Sequence, residues 1–265
     1  MASGKITLKT MLGNYPNTAA LKSGELKSDL VDFDFAEVKV ANNLFKKIVR
    51  DAAFDVGELA IATFLQAKSF NKPYVLLPAV LVSRCQHHTI AYNAERGPLS
   101  PSDLKGKRVG LRAYTVTTAT WVRGILAEEY GLDLSKVQWL TFEDPHVAEY
   151  RDPAMVKRAP PGKELVQMLL DGELDAAVVG DKLPDPRLKH LIPEPEPAAE
   201  AGRAGMAAFR STTWWSSAPS CRSHAPISCR RCSNCCNGAR RRRERRRIPS
   251  PCGSASRPAD LCSRS

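Results

Sequence analysis

The sequence predicts an α/β protein built on open sheets, and three observations carry that prediction. Short β-type stretches alternate with stretches of helical period along residues 5–180. Pro73–Val82 is almost continuously apolar, as in a strand covered on both faces. Ser102–Asp133, SDLKGKRVGLRAYTVTTATWVRGILAEEYGLD, reads in succession as a polar turn, a strand and a helix.

Taken in order, Lys5–Leu12 alternates like a strand. A polar loop, Gly13–Thr18, leads to a short helix near Thr18–Ser23. Leu30–Val40 places Val31, Phe33, Phe35 and Val38 as a second strand with an irregular end. Asn43–Ala53 is a helix with Leu44 and Ile48 on one face, 54–59 a short strand, and Ala60–Ser69 a further helix. Pro73–Val82 and Thr89–Asn93 are strands. Past the central stretch, Val137–Phe142 is a strand, 143–161 a polar loop with four prolines, Gly162–Leu170 a helix and Leu174–Val179 a buried strand closed by Gly180-Asp181. Pro184–Pro197 is proline-rich and leads away.

The central stretch organises the rest. Arg108–Leu111 is its strand, and Thr115–Tyr130 its helix, with Ala119, Val122, Leu126 and Tyr130 at helical spacing and Gly131 as the stop. At the joint, free N–H groups and the positive end of a helix dipole suit a carboxylate or phosphate. Arg112, Tyr114, Thr115, Thr117 and Thr118 at this joint are therefore candidate substrate-binding residues. The competing reading is that Thr115 or Thr117 is only an N-cap.

The net charge of +11 would suggest a nucleic-acid partner if it were evenly spread. It is not. Residues 203–265 hold 14 arginines and no lysine against Glu244 and Asp260, giving that segment +12, so residues 1–202 carry −1. Cys85 is the single cysteine before residue 203, with seven after it. The first part reads as a reduced, cytoplasmic globular protein. No leader is read at MASGKITLKTML and no apolar run approaches 18 residues, so no membrane partner is expected.

This order of elements is similar to the type II periplasmic-binding-protein-like fold, a two-lobed α/β architecture in which DLKGKRVG opens the second lobe and GELDAAVVGD closes it. Within that fold the chain resembles the 4,5-dihydroxyphthalate decarboxylase family. The resemblance rests on DVGELAIATFL (55–65), LVSRCQHHTIAYN (81–93), SPSDLKGKRVGLRAYTVTTATWVRGILAEEYGL (100–132) and LLDGELDAAVVGD (169–181), and runs over about residues 1–202. It implies a first lobe from 1–99 and about 183–203, a second lobe from 100–182, and a ligand held between them. A solute-binding protein of an ABC-type transporter with the same fold is the rival reading.

From about 204 the family pattern stops. Back-translating residues 205–217 with permitted codons and reading from the last base of the Gly205 codon gives HGGIPINHMVVV, which resembles the family's return segment GIPINHMVVVR. Met206, Trp214 and Trp215 each have a single codon. Residues 204–265 are therefore expected to be a frame-shifted, disordered, basic tail, and the first lobe to be incomplete. The Cys229, Cys232, Cys235, Cys236 cluster and the Arg240–Arg247 run then carry neither a metal nor nucleic acid.

The resemblance implies as substrate a catechol with two neighbouring carboxylates, one of which leaves as CO2 to give 3,4-dihydroxybenzoate. Each carboxylate is para to a hydroxyl, so a phenolate can push electrons into the ring and no cofactor is expected. The protein must supply cations and N–H donors for the carboxylates, an acid for the ring carbon and a base near the phenol. Arg84 is a candidate carboxylate clamp, or a surface ion pair. His87 and His88, read as the start of a strand, are candidate proton donors of which one can face the cleft; both could equally be structural. Glu58 is a phenol base or a helix cap, and Asp181 a binding residue of similar placement. His146, with Glu143, Asp144 and Glu149, is read as part of a solvated loop rather than a cation site. No metal ligand is assigned, and a homo-oligomer is left open.

Overall fold

The computed structural model describes residues 4–205 and 211–217. In chain order the strands and helices are β1 (Ile6–Met11), α1 (Ala19–Lys22), β2 (Val31–Phe35), α2 (Phe45–Asp51), β3 (Val56–Ala60), α3 (Ile61–Ser69), β4 (Val75–Ser83), β5 (Ile90–Asn93), β6 (Arg108–Leu111), α4 (Thr117–Glu128), β7 (Gln138–Thr141), β8 (Val156–Arg158), α5 (Leu165–Leu170), β9 (Ala176–Val178), β10 (Leu188–His190), α6 (Pro195–Gly205) and β11 (Ser211–Ser217).

They build two lobes, each around its own sheet. The first sheet has the order β2-β1-β3-β11-β4; β1 runs parallel to β2 and β3, and β11 antiparallel to both β3 and β4. The second has the order β10-β5-β9-β6-β7-β8, with a parallel centre and antiparallel edge pairs at β5 and β10. Each sheet is covered on both faces, which is why β3, with all five residues buried, reads as unbroken apolar character around Glu58.

The second lobe is held by α4. Ala119, Val122, Ile125 and Leu126 form its buried stripe against Trp139, Val109 and Leu111. Fully burying each large side chain of this kind contributes about 1.5–3 kcal/mol. Gly131 closes the helix at φ +64°, and the Leu132 N–H reaches back to the Leu126 carbonyl at 2.9 Å. The helix is shorter than its apolar spacing suggests, because Thr115 and Val116 stay outside the first turn, Val116 being extended.

Several differences from the sequence reading have local causes. β5 and β10 belong to the second sheet, since Ile90, Ala91, Leu188, Leu191 and Ile192 pack into the second lobe's cores. The second lobe therefore reaches beyond 100–182 at both ends. β8 lies inside the stretch read as a loop, β10 lies inside the proline-rich stretch, and α6 begins within it and runs on to Gly205. Pro195 and Pro197 are tolerated in α6 because they fall in its first turn, where N–H groups have no intrahelical partner. His87–Thr89 is a 3-10 turn rather than the start of a strand. β11 falls within the stretch expected to be a disordered tail, yet it adds a strand to the first lobe's sheet between β3 and β4; Thr and Trp favour extended backbone. The cysteine cluster and the arginine run lie outside the described residues.

Candidate functional site

A cleft of about 690 Å3 opens between the lobes. The first lobe supplies Tyr15, Asn42, Phe45, Glu58 and Arg84, and the second supplies Arg112, Thr117, Thr118, His146 and the segment Val178–Asp181. This is the crevice at strand carboxyl ends where open α/β sheets bind ligands.

Two helix N-termini meet there. α3 and α4 both begin after an extended residue and neither has a side-chain cap. The Ala62 N–H of α3 donates to the Thr117 hydroxyl at 3.1 Å. Thr117 is thus buried and spans the two lobes instead of capping its own helix, and no side chain caps the start of α4, where Thr118 lines the cleft. That is a place for anionic oxygen.

Arg84 lies at the end of the strand β4 segment, in the cleft wall. One Nη of its guanidinium pairs with Asp181, and its Nε is buried without a partner. Asp181 also receives His88 Nε2 at 3.2 Å on its other oxygen. The ion-pair reading of Arg84 and the cleft reading thus hold together: Asp181 occupies part of the fork, and Nε remains unsatisfied. Arg112 faces Glu143 at 3.7 Å, a loose pair of two half-exposed groups.

Glu58 is the buried carboxylate of the site, 1% exposed. Its two oxygens accept from the Gly13 N–H at 2.7 Å and the Tyr15 hydroxyl at 2.8 Å. Burial pushes its pKa up, and the two donors and Lys22 oppose that only in part. Burial and the neighbouring Glu58 charge likewise raise Tyr15 above the ordinary phenol value. A Cβ at Gly13 would lie 2.6 Å from the Tyr15 ring, so a larger residue there would displace the hydroxyl that donates to Glu58. Glu58 is therefore not a helix cap.

The two adjacent histidines diverge. His87 is buried and bonds Glu129 through Nε2 at 2.7 Å, away from the cleft. The strand alternation expected of the pair gives way to a turn, and packing against α4 and α6 draws His87 inward. His88 is joined to the cleft through Asp181. Tyr114 is turned to the second lobe's core, with its ring under the Arg123 guanidinium at 3.6 Å and edge-on to Trp139. Neither Tyr114 nor Thr115 lines the cleft, whereas Glu58, Arg84, Arg112, Thr117, Thr118 and Asp181 do.

His146 corrects the solvated-loop expectation. It is 6% exposed, its Nδ1 lies 2.7 Å from the Thr63 hydroxyl, and its ring meets Phe45 edge-on. Burial first, then the charges of Arg112, Lys46 and Arg50, lower its pKa to about 4, so the ring is neutral at pH 7. Tyr15, Asn42 and Phe45 are further cleft residues that sequence reasoning missed. No group of three or more His, Cys, Asp or Glu side chains able to hold a metal occurs among the described residues. Nor does any helix among them have the length and apolar character to cross a membrane.

No protein-family model matches the chain. A 4,5-dihydroxyphthalate decarboxylase of Comamonas testosteroni is 32% identical over 209 residues, covering 74% of this chain and 63% of the relative. A 4,5-dihydroxyphthalate decarboxylase of Pseudomonas putida is 34% identical over 228 residues, covering 80% of this chain and 87% of the relative. The chain thus spans less than two thirds of the first relative's length. Among solved structures, the periplasmic aliphatic sulphonate binding protein SsuA of Escherichia coli is similar with a TM-score of 0.56 and 12% identity, covering 91% of this chain and 76% of its own. The alkanesulfonate-binding protein SsuA of Xanthomonas axonopodis pv. citri gives 0.52 and 14%, covering 92% and 75%. At these identities the likeness shows the fold alone, that of type II solute-binding proteins.

Proposed function

The chain belongs to the 4,5-dihydroxyphthalate decarboxylase family, and from that premise we propose that it converts 4,5-dihydroxyphthalate to 3,4-dihydroxybenzoate and CO2. The observation that carries the reading is the convergence, in one interlobe cleft, of anion-binding groups and a buried carboxylate with a raised pKa. The open N–H groups of α4, Arg112 and the unsatisfied Nε of Arg84 receive the two carboxylates, while Phe45 and Val178–Val179 flank the ring.

In this reading Glu58 takes the proton of the hydroxyl para to the departing carboxylate, with Tyr15 holding it. The phenolate pushes electrons into the ring, and a proton adds to the carbon bearing the carboxylate. The C–C bond then breaks, its electron pair restores the aromatic ring, and CO2 leaves. Glu58 returns its proton to the product phenolate, so one external proton is consumed for each CO2 released. We assign delivery of that proton to His88, because it is joined to a cleft residue and His87 is not.

The test is CO2 release from 4,5-dihydroxyphthalate, measured on this chain and on one continued in the family's frame. His88→Gln is expected to slow release far more than His87→Gln, and Arg84→Ala to weaken phthalate-type ligands at least tenfold in calorimetry. Ligand binding with no turnover in either chain would instead support the solute-binding reading of the same fold.

The same proposal places the protein in the cytoplasm, supported by the free Cys85 and the absence of other cysteines in residues 1–202. It also holds that the reading frame departs from the family's near codon 205, supported by the back-translation and by 14 arginines with no lysine from 203 onward. The coding DNA around that codon tests it.

A further inference from the structure

The loop between β7 and β8 belongs to the second lobe, yet it is seated on the first. Val147 is buried in the first lobe's core with Phe45 and Ile48. Arg50 of α2 donates to the carbonyls of Pro145 and His146 at 2.7 and 2.9 Å, and Lys72 reaches Glu149. The residue carried inward by this seating is His146. Thr63 of α3 fixes its Nδ1, Phe45 fixes its ring plane, and the ring lines the cleft. Its Nε2 makes no hydrogen bond among the described residues.

We propose that His146 is a substrate-contacting residue that reads a ring hydroxyl, and that Thr63 is its positioning residue. The inference rests on the aromatic-dicarboxylate reading of the cleft. The remaining nitrogen is one neutral donor or acceptor in a wall where Arg112 supplies positive charge. A neutral imidazole has no charge to offer a carboxylate but matches a hydroxyl in either direction. A ligand that lacks the hydroxyl covers this nitrogen and leaves it unpaired, which is how a site built to bond a hydroxyl discriminates. Because Thr63 and the loop come from different lobes, this contact is complete only while the lobes are together.

Calorimetry on the full chain with phthalate and with 4,5-dihydroxyphthalate tests it. Wild-type protein is expected to prefer the dihydroxylated ligand, and His146→Leu to lose at least tenfold in affinity for it while changing phthalate affinity less than twofold. Equal losses for both ligands, or an undiminished preference, overturn the proposal. Should His146→Leu fail to fold, the Thr63 variants decide. Thr63→Val is expected to lose most of the preference and Thr63→Ser to keep it, whereas a full preference in Thr63→Val overturns the positioning role. Absence of CO2 release from the wild type would sink the decarboxylase reading separately, with the ligand preference still deciding the role of His146.

Discussion

The Ala62 N–H donates to the Thr117 hydroxyl at 3.1 Å, and this bond joins the first turn of α3 in one lobe to the first turn of α4 in the other. It fixes how the two helix starts face the cleft without using the N–H groups of α4. Thr117→Val keeps the shape and removes the acceptor, leaving a buried N–H unsatisfied at a cost of about 1–3 kcal/mol. Weaker binding of phthalate-type ligands, by about fivefold or more in calorimetry, is expected, with Thr117→Ser close to wild type. Unchanged affinity in the valine variant would detach the helix starts from the site.

Glu58 yields a prediction with two readouts. Its pKa is raised by burial, so between the unfolded value and the folded one the folded chain holds the extra proton. Stability therefore falls as pH rises through that window, starting from about 4.5. Glu58→Gln is expected to remove that fall, seen as a flatter melting temperature against pH. The same variant should lower turnover about a hundredfold or more, the usual scale for loss of a general base. A variant that keeps the activity would remove Glu58 from the chemistry.

His146 acts in the opposite sense. It is held neutral by burial and by Arg112, Lys46 and Arg50, with a pKa of about 4 against an ordinary 6.5. Between those values the unfolded chain binds more protons, so stability is fully present above 6.5 and is lost as pH falls toward 4. The loss attributable to this group is on the order of 2–3 kcal/mol. Denaturant titrations of wild type and His146→Leu at pH 7 and pH 4.5 should show a smaller acid-induced loss in the variant. Identical losses would mean that the imidazole is not buried in solution.

What the sequence discloses and what it hides divide along contact range. Periodicity finds β1, β4 and α4 because their burial repeats locally, and the strand-to-helix joint before α4 is legible for the same reason. His87 and His88 mislead, because adjacency alone cannot tell a strand from a turn, and packing against α4 decides which ring turns inward. His146 is invisible to local reading: Thr63, which holds it, is 83 residues away, and the charged loop around it looks solvated until Arg50 is seen to take its carbonyls. Three-residue strands such as β8 and β10 carry too little pattern to register, and the prolines of 184–197 mask a helix that begins with one.

The strand β11 makes the last prediction. It lies between β3 and β4 and pairs with both, from Thr213 opposite Ala60 to Ser217 opposite Val56 on one side, and from Ser211 opposite Ser83 to Ser217 opposite Val75 on the other. β3 and β4 are not paired with each other in this sheet. A chain ended at Gly205 must therefore leave two facing strand edges apart, or collapse them with a shift of β4. The edges carry Val56 and Leu59 from β3 and Leu77, Ala79 and Leu81 from β4, all in the buried clusters of the first lobe. Each net backbone bond lost is worth about 1 kcal/mol, and several are lost, against a typical domain stability of about 5–15 kcal/mol. At about 4–8 °C per kcal/mol for a unit the size of the first lobe, that lobe is expected to melt at least 10 °C lower in the shortened chain. The second lobe, whose sheet takes no strand from beyond residue 190, should keep a cooperative transition of its own. Calorimetric scans of the two chains decide it: an unchanged first transition would mean that β11 contributes nothing to the first lobe, and that the chemistry of Glu58 and Arg84 rests on β3 and β4 alone.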